Sequence, residues 1–574
     1  MSRFTEEVFI SAPASGKGLV TGEPNHPIRR TWREIHGIAR CMAGSLASAG
    51  VNPGDTVGVL VGEPASIAPV IQAVWMRGAS VTMLHQPGAR AELGAWAEDT
   101  FAVLDMIGAK LVVVGDVFGR TMPIFEAQGT SVVPVEALAE GVAIEPVDCG
   151  EDDIAFLQLT SGSTGLPKAV AISHRNLHGN AAAMVSASKL DPQTDVLVSW
   201  LPLFHDMGMI GFLVLPMQVG AEAVCATPAD FLRSPRLWPS LISRYGGTMT
   251  AGPNFAYALL ARHLRAAPDG AFDLSSLRFV LSGAEPIDHA TVAAVIESGA
   301  RFGLDGRAFV AAYGMAEATL AISFSETGEG MQFDTVDQAA IEVESHAAIS
   351  TDAAARHLAK LGKPLPGIEI MVGDRVVGES TVDDAPGAEA KARTVGELRI
   401  RGDAVSRYYL TPSGKQSLFG DGGWFSTGDI GYLTETGEVV ICGRLKDMII
   451  VAGRNIFPAD IERAACRVSG VRPGNAIAVA LAAAGIREEF AVVVEAGDSA
   501  DPESSARIKN EVSNAVHAAF GISPRLVSVV PPRTLPKTSS GKPRRSATIG
   551  IVETELAMLH GANSRRQQEQ VGSS

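Results

Sequence analysis

The stretch Leu159-Thr160-Ser161-Gly162-Ser163-Thr164-Gly165-Leu166-Pro167-Lys168 decides how the rest of the chain is read. An apolar run at 154–157 stops at four hydroxyl side chains, two glycines and one lysine. That composition wraps backbone N–H groups, hydroxyls and one cation around phosphate oxygens. It differs from the common nucleoside-triphosphatase loop, which needs Gly-Lys-Ser/Thr at the start of a helix. Here Pro167 precedes Lys168, and Gly162 and Gly165 stand three apart. The other reading of the loop by itself is a solvated turn, so the flanking sequence has to decide.

The 574 residues, 46% apolar, allow several folding units of roughly 150 residues each. Lys plus Arg number 48 against 63 Asp plus Glu, a net charge of −15 that argues against broad binding to nucleic acid or anionic membrane. An anionic ligand must then be held locally. Cys41, Cys149, Cys225, Cys442 and Cys466 are odd in number and widely spaced, which fits reduced thiols. The N-terminus lacks a basic-then-apolar signal layout and no run approaches the ~20 apolar residues of a membrane span, so a soluble cytoplasmic protein is expected.

Residues 31–49 carry an amphipathic helix pattern with Thr31 placed to cap it and Glu34 three residues on. A strand at 56–61, a helix at 67–78 and a strand at 79–84 continue as alternating β and α units of a mostly parallel sheet. From residue 154 onward, short apolar runs end in polar clusters. They lead into the loop above, into Phe204-His205-Asp206-Met207-Gly208, into Ser282-Gly283-Ala284-Glu285-Pro286 and into Tyr313-Gly314-Met315-Ala316-Glu317. Ligands of open α/β sheets sit beyond the carboxyl ends of strands, so the four endings are expected to converge on one crevice. Tyr313 offers a flat ring to a base, and Glu317, expected at the start of a helical stretch 317–324, offers a hard oxygen to Mg²⁺.

Residues 333–361 follow, with Phe333, Val336, Ala340 and Val343 at helix-like spacing. Glycine-bounded strands are expected at 368–372, 396–401 and 424–427, the last entering Gly428-Asp429. A strand at 438–442 enters Gly443-Arg444-Leu445-Lys446-Asp447, with 448–451 as its partner strand. Beyond it, a helix from Pro458, strands at 476–481 and 490–495, and a helix from Asp501-Pro502 to Phe520 stopped by Gly521 predict a small α/β domain. The basic loop 535–545 closes it, and the polar tail from 561 is expected to fray.

The ordered set 160–168, 313–317, 426–429, 443–447 and 536–542 resembles the signature segments of the adenylate-forming superfamily, which includes acyl-CoA synthetases, luciferases and nonribosomal adenylation domains. The resemblance implies an α/β fold: a large N-terminal domain of mixed and parallel sheets with a β-barrel-like part over 1–445, and a small mobile C-terminal domain over 446–560. It implies ATP and Mg²⁺. Thr160, Ser161, Gly162, Ser163, Thr164 and Gly165 with Lys168 would hold the phosphates. Gly283, Ala284, Glu285, Tyr313, Gly314 and Met315 would frame the adenine and the acyl carbonyl. Asp429 and Arg444 would bind the ribose, and Glu317 with Thr160 would serve the metal. Lys446 would be the hinge, and Lys542, His205 and Glu317 the catalytic set.

Within the superfamily, 201–208 and 453–458 resemble the fatty acyl-AMP ligase branch, and 44 residues, 318–361, separate Glu317 from Gly362-Lys363-Pro364 where an insertion is expected. That branch implies activation of a medium- or long-chain fatty acid to acyl-adenylate. The acyl group then passes to the phosphopantetheine thiol of an acyl carrier protein or a synthase carrier domain. The alternatives are a fatty acyl-CoA synthetase, an insertion without functional meaning, and a non-catalytic nucleotide- or lipid-binding protein on the same fold. The apolar runs 207–217 and 255–260 are expected to line an acyl tunnel.

Overall fold

The first long helix, Trp32–Ser48, starts where its capping pattern predicts: the Thr31 hydroxyl accepts from Glu34 N–H while the Glu34 carboxylate accepts from Thr31 N–H. Such a reciprocal cap is worth about 1 kcal/mol. The computed structural model describes residues 1–87, 93–160, 167–352, 355–373, 375–378, 381–382, 392–451, 453–481, 489–537 and 543–571. The strands Thr56–Leu60 and Ser80–Met83 flank the helix Pro64–Met76 and pair in parallel, as the alternation requires. They belong to an eight-stranded sheet that also holds the hairpin Ile154–Thr160 and Lys168–Ser173. Tyr408–Thr411 adds to the hairpin's far side.

A nine-stranded sheet carries Val196–Ser199, Met249–Gly252, Phe279–Ser282 and Phe309–Gly314 side by side and parallel, so their carboxyl ends open at one edge. The four polar endings are thus drawn from two sheets. A hydrogen bond of 3.1 Å from Gln158 Nε2 to the Phe204 carbonyl joins them. A third, antiparallel sheet of six strands runs from Thr381–Val382 to Val439–Arg444 and is the part expected to be barrel-like. One core of buried Val, Ile, Leu, Trp and Phe side chains spans all three sheets of this large N-terminal domain. The smaller C-terminal domain has its own core of Ile461, Val492, Val494, Val512 and Val516, between helices Pro458–Cys466 and Pro502–Phe520 and a three-stranded sheet.

Three expectations need correction. Residues 317–324 are not helical: a short turn, Ala316–Ala318, gives way to the strand Ala321–Phe324, antiparallel to Phe309–Gly314. Phe333–Val336 is a strand paired with Arg356–Ala359, because Asp334 must reach Arg393 and the Tyr432 hydroxyl in the interior. The partner of Val439–Arg444 is Phe425–Leu433, whereas Ile449–Val451 pairs with Arg454–Ile456. The last helix runs Arg545–Val571.

Candidate active site

The three sheets meet in one polar cluster. Tyr313 ends its strand in the nine-stranded sheet, and its hydroxyl donates to Asp429 Oδ2 at 2.7 Å. Asp429 lies on the six-stranded sheet directly opposite Arg444, whose Nε stands 2.9 Å from Oδ1. The carboxylate is buried, yet each oxygen keeps a second lone pair, which suits a pair of vicinal hydroxyls. Burial and the neighbouring carboxylate hold the Tyr313 phenol well above its ordinary range, so it stays a donor.

Glu317 stands in the turn after Tyr313, and its Oε1 accepts from the Tyr409 hydroxyl at 2.6 Å. The Lys168 ammonium lies 5.3 Å from the centre of the Tyr409 ring. Lys168 pairs with Thr160 across the mouth of the hairpin. Ser161, Gly162, Ser163, Thr164 and Gly165 themselves lie outside the described residues, as does Lys542. The flank of the Lys542 loop is anchored on the small domain by Lys537 Nζ to Asn475 Oδ1, 2.8 Å.

The turn that presents Glu317 is tight. Thr319 has φ 68° and ψ −60°, and Leu320 N–H bonds back to the Ala318 carbonyl at 2.8 Å. This is the γ-turn of rare, strained geometry, occupied here by a β-branched residue. Its hydroxyl donates to the Ala404 carbonyl, which helps hold it there. The turn lays the Leu320 carbonyl against Gly314, where a Cβ would stand 2.2 Å from that oxygen, and Met315 N–H bonds the same carbonyl. Ala284 also sits at positive φ, 69°. Its neighbour Glu285 accepts from Phe255 N–H at 2.7 Å, tying the 283–285 segment to the helix Asn254–Ala266.

Of the other expected residues, His205 caps the turn Asp206–Met209 and pairs with Asp206 at 2.6 Å, while the Phe204 ring meets the His85 imidazole edge-on. Gly283 lies beside the Ala312 carbonyl of the Tyr313 strand. Lys446, in the turn Leu445–Asp447, is held below its ordinary pKa chiefly by burial, against the opposing pull of Asp447. Among the described residues no group of three or more His, Cys, Asp or Glu side chains could cage a metal. A single carboxylate such as Glu317 fits Mg²⁺, which keeps waters and shares phosphate oxygens, and does not fit a protein-caged ion. Tyr409 was not singled out from sequence. The signal was the pair Tyr408-Tyr409, two of six tyrosines in the chain, placed so that strand alternation turns one of them inward.

The small domain meets the expected insertion. Glu342, fully buried, pairs with Arg454 at 2.5 Å, and Arg356 with Asp460 at 3.0 Å. Phe457 packs with Val336, Ile341, Tyr432 and Cys442 and fills the space that a Cβ on Gly443 would need, 2.3 Å from its ring.

A family model described as AMP-binding enzyme matches residues 15–410, and one described as AMP-binding enzyme C-terminal domain matches 453–547. The chain belongs to the AMP-binding enzyme family. A Mycobacterium tuberculosis (strain ATCC 25618 / H37Rv) protein named as a ligase is 52% identical over 553 residues, 96% of this chain and all of that protein. A long-chain-fatty-acid–AMP ligase, FadD28, from the same strain is 34% identical over 421 residues, 69% of each chain. A solved structure from studies of fatty acyl-adenylate ligases of E. coli and L. pneumophila superposes with a TM-score of 0.84 at 27% identity, covering 97% of this chain and 98% of that one. This AMP-binding enzyme is an adenylate-forming ligase with a large N-terminal and a smaller C-terminal domain.

Proposed function

We propose that this ligase uses ATP to activate a medium- or long-chain fatty acid to its acyl-adenylate, releasing pyrophosphate, and passes the acyl group to the phosphopantetheine thiol of a carrier protein. The observation that carries the first half is the contiguous cluster Lys168, Tyr409, Glu317, Tyr313, Asp429 and Arg444. In the reaction an oxygen of the fatty carboxylate forms a bond to the α-phosphorus, and the bond from that phosphorus to the pyrophosphate oxygen breaks. One anion approaches another, so the protein's task is positioning and charge neutralisation. Lys168 and the 161–166 loop take the phosphates, Tyr313 and the 283–285 segment take the adenine, and Asp429 takes the ribose hydroxyls. Glu317 and Thr160 would hold Mg²⁺, which would supply further charge neutralisation. Lys542 arrives on the small domain, which turns about Lys446. At about 4 Å and an effective dielectric near ~20, one cation offers about 4 kcal/mol to an anion.

The carrier thiol is favoured over coenzyme A by the insertion, which grips the small domain through Glu342–Arg454, Arg356–Asp460 and Phe457. The second reading, a fatty acyl-CoA synthetase, draws on relatives named fatty-acid–CoA ligase that are 32% identical over 70% of this chain. One assay separates them. Pyrophosphate release is measured across a fatty acid series, and the adenylate is then offered coenzyme A or a holo carrier protein. Fatty-acid-dependent release with discharge by the carrier alone is expected, whereas brisk discharge by coenzyme A favours the synthetase.

A further inference from the structure

Tyr409 is the residue on which the two charged sides of the cluster rest. Its strand, Tyr408–Thr411, pairs with the Lys168 strand at Val170 and Ala169, so alternation turns Tyr409 toward Glu317 while Tyr408 faces Lys415 on the other side. The segment before it grips the Glu317 turn repeatedly. Ser406 N–H donates to the Glu317 carbonyl at 2.8 Å, the Ala404 carbonyl accepts from Thr319 at 2.7 Å, and the Ser406 hydroxyl donates to Ala171 at 2.6 Å on the Lys168 strand.

We propose that Tyr409 is a positioning residue for adenylation: its hydroxyl fixes Glu317 Oε1 and so presents Oε2, while its ring seats the Lys168 ammonium. Among the described residues the Tyr409 hydroxyl is the only side-chain hydrogen bond that Glu317 makes. The ring face attracts the ammonium. One side chain thereby sets the spacing between the carboxylate and the phosphate-side cation.

The inference rests on the reading of Glu317 as the metal-side carboxylate, and the test separates the two. Tyr409→Phe keeps the ring and deletes the hydroxyl, so it is expected to fold. With the full-length enzyme and a non-hydrolysable ATP analogue, Mn²⁺ binding is followed by electron paramagnetic resonance, and the Mg²⁺ half-saturation by pyrophosphate release. Tyr409→Phe should weaken Mn²⁺ binding and raise the Mg²⁺ half-saturation about tenfold, as expected for one lost hydrogen bond to a charged group. Glu317→Gln should do at least as much, and Tyr409→Phe added to Glu317→Gln should change nothing further. Tyr409→Leu should in addition raise the KM for ATP, because Lys168 loses its seat. Tyr409→Phe with wild-type Mn²⁺ affinity beside an impaired Glu317→Gln, or effects that multiply in the double variant, overturns the role of Tyr409 alone. Glu317→Gln with wild-type Mn²⁺ affinity overturns the reading of Glu317 and this inference with it.

Discussion

At the scale of single residues, Asp429 shows how burial and chemistry constrain each other. Its carboxylate is buried between the Tyr313 hydroxyl and the Arg444 guanidinium, and both partners depend on its charge. Asp429→Asn keeps the shape, weakens both bonds and leaves Arg444 without its counter-charge. The KM for ATP is therefore expected to rise about tenfold or more with a smaller fall in kcat, read from pyrophosphate release, because the interaction serves ground and transition states alike. His174 gives a second residue-level prediction, on stability. It is buried with Nδ1 2.8 Å from the Ser2 hydroxyl, and burial lowers its pKa to about 4, with Asp153 and Glu151 pulling the other way. Below pH 6.5 the unfolded chain takes up a proton that the folded chain refuses. Stability is then fully present above 6.5 and is lost as pH falls toward 4, by about 3 kcal/mol. Urea unfolding at pH 7 and pH 4.5 should show this loss, and His174→Gln should remove most of it. Of the clustered residues, Tyr313 and Glu317 were singled out in the polar cluster that follows an apolar run, and Asp429 and Arg444 by the resemblance to the superfamily. Tyr409 was not, because its partner Glu317 lies 92 residues away and only the sheet brings them together.

At the scale of elements, period and capping read well where one residue settles the choice. Thr31 with Glu34, Asp501 with Pro502, and Gly521 mark observed helix ends. The misread elements share a cause: their conformation is dictated by distant partners. The spacing of Phe333 and Val336 fits a helix or a strand, and only the pairing with Arg356–Ala359 and the burial of Asp334 choose the strand. The γ-turn at Thr319 has no local signal at all, since a β-branched residue is the last expected there. The apolar run 207–217 was expected, with 255–260, to line an acyl tunnel. Its side chains from Met207 to Met217 are core, and Gly211 approaches Leu320 of the Glu317 turn, with the Leu320 side chain 3.2 Å from where a Cβ would stand. The element therefore joins the Glu317 turn to the apolar interior. If a fatty chain lies along it, each added methylene contributes about 0.8 kcal/mol until the space is filled. Pyrophosphate release at low substrate concentration should accordingly climb about fourfold per methylene from short to medium chains and then level off. Equal kcat/KM for acetate and dodecanoate would count against this placement.

At the scale of the whole molecule, the question is what the small domain would have to break in order to turn about the proposed hinge, Lys446. In this structure the small domain is held by Arg454 on buried Glu342, by Asp460 on buried Arg356 and by Phe457 against Gly443. Arg454 also donates to the Phe520 carbonyl at 2.6 Å, which ties this grip to the end of the domain's long helix. Separating a buried ion pair exposes or strands both charges, and breaking one such pair by removing a partner costs about 3–5 kcal/mol. A bias of only about 1.4 kcal/mol already shifts a two-state hinge tenfold. The insertion's contacts thus hold the small domain in the arrangement seen here, and of Phe333, Val336, Ala340 and Val343, the side chains expected to meet that domain, Val336 packs with its Phe457. Deleting residues 330–360 would also take Asp334 from Arg393 and Tyr432, and so would confuse hinge release with loss of the fold. Removing both partners of one pair while leaving the insertion in place is the cleaner perturbation: Glu342→Gln with Arg454→Gln, then Phe457→Ala added. The intact enzyme is expected to make acyl-adenylate with little acyl-coenzyme A. The triple variant should keep adenylation within about threefold and gain about tenfold in coenzyme A thioester, followed by chromatography of the acyl products beside pyrophosphate release. A triple variant that adenylates normally yet gains no thioester would mean that the grip does not select the acceptor, and that the discrimination lies in the thiol channel itself.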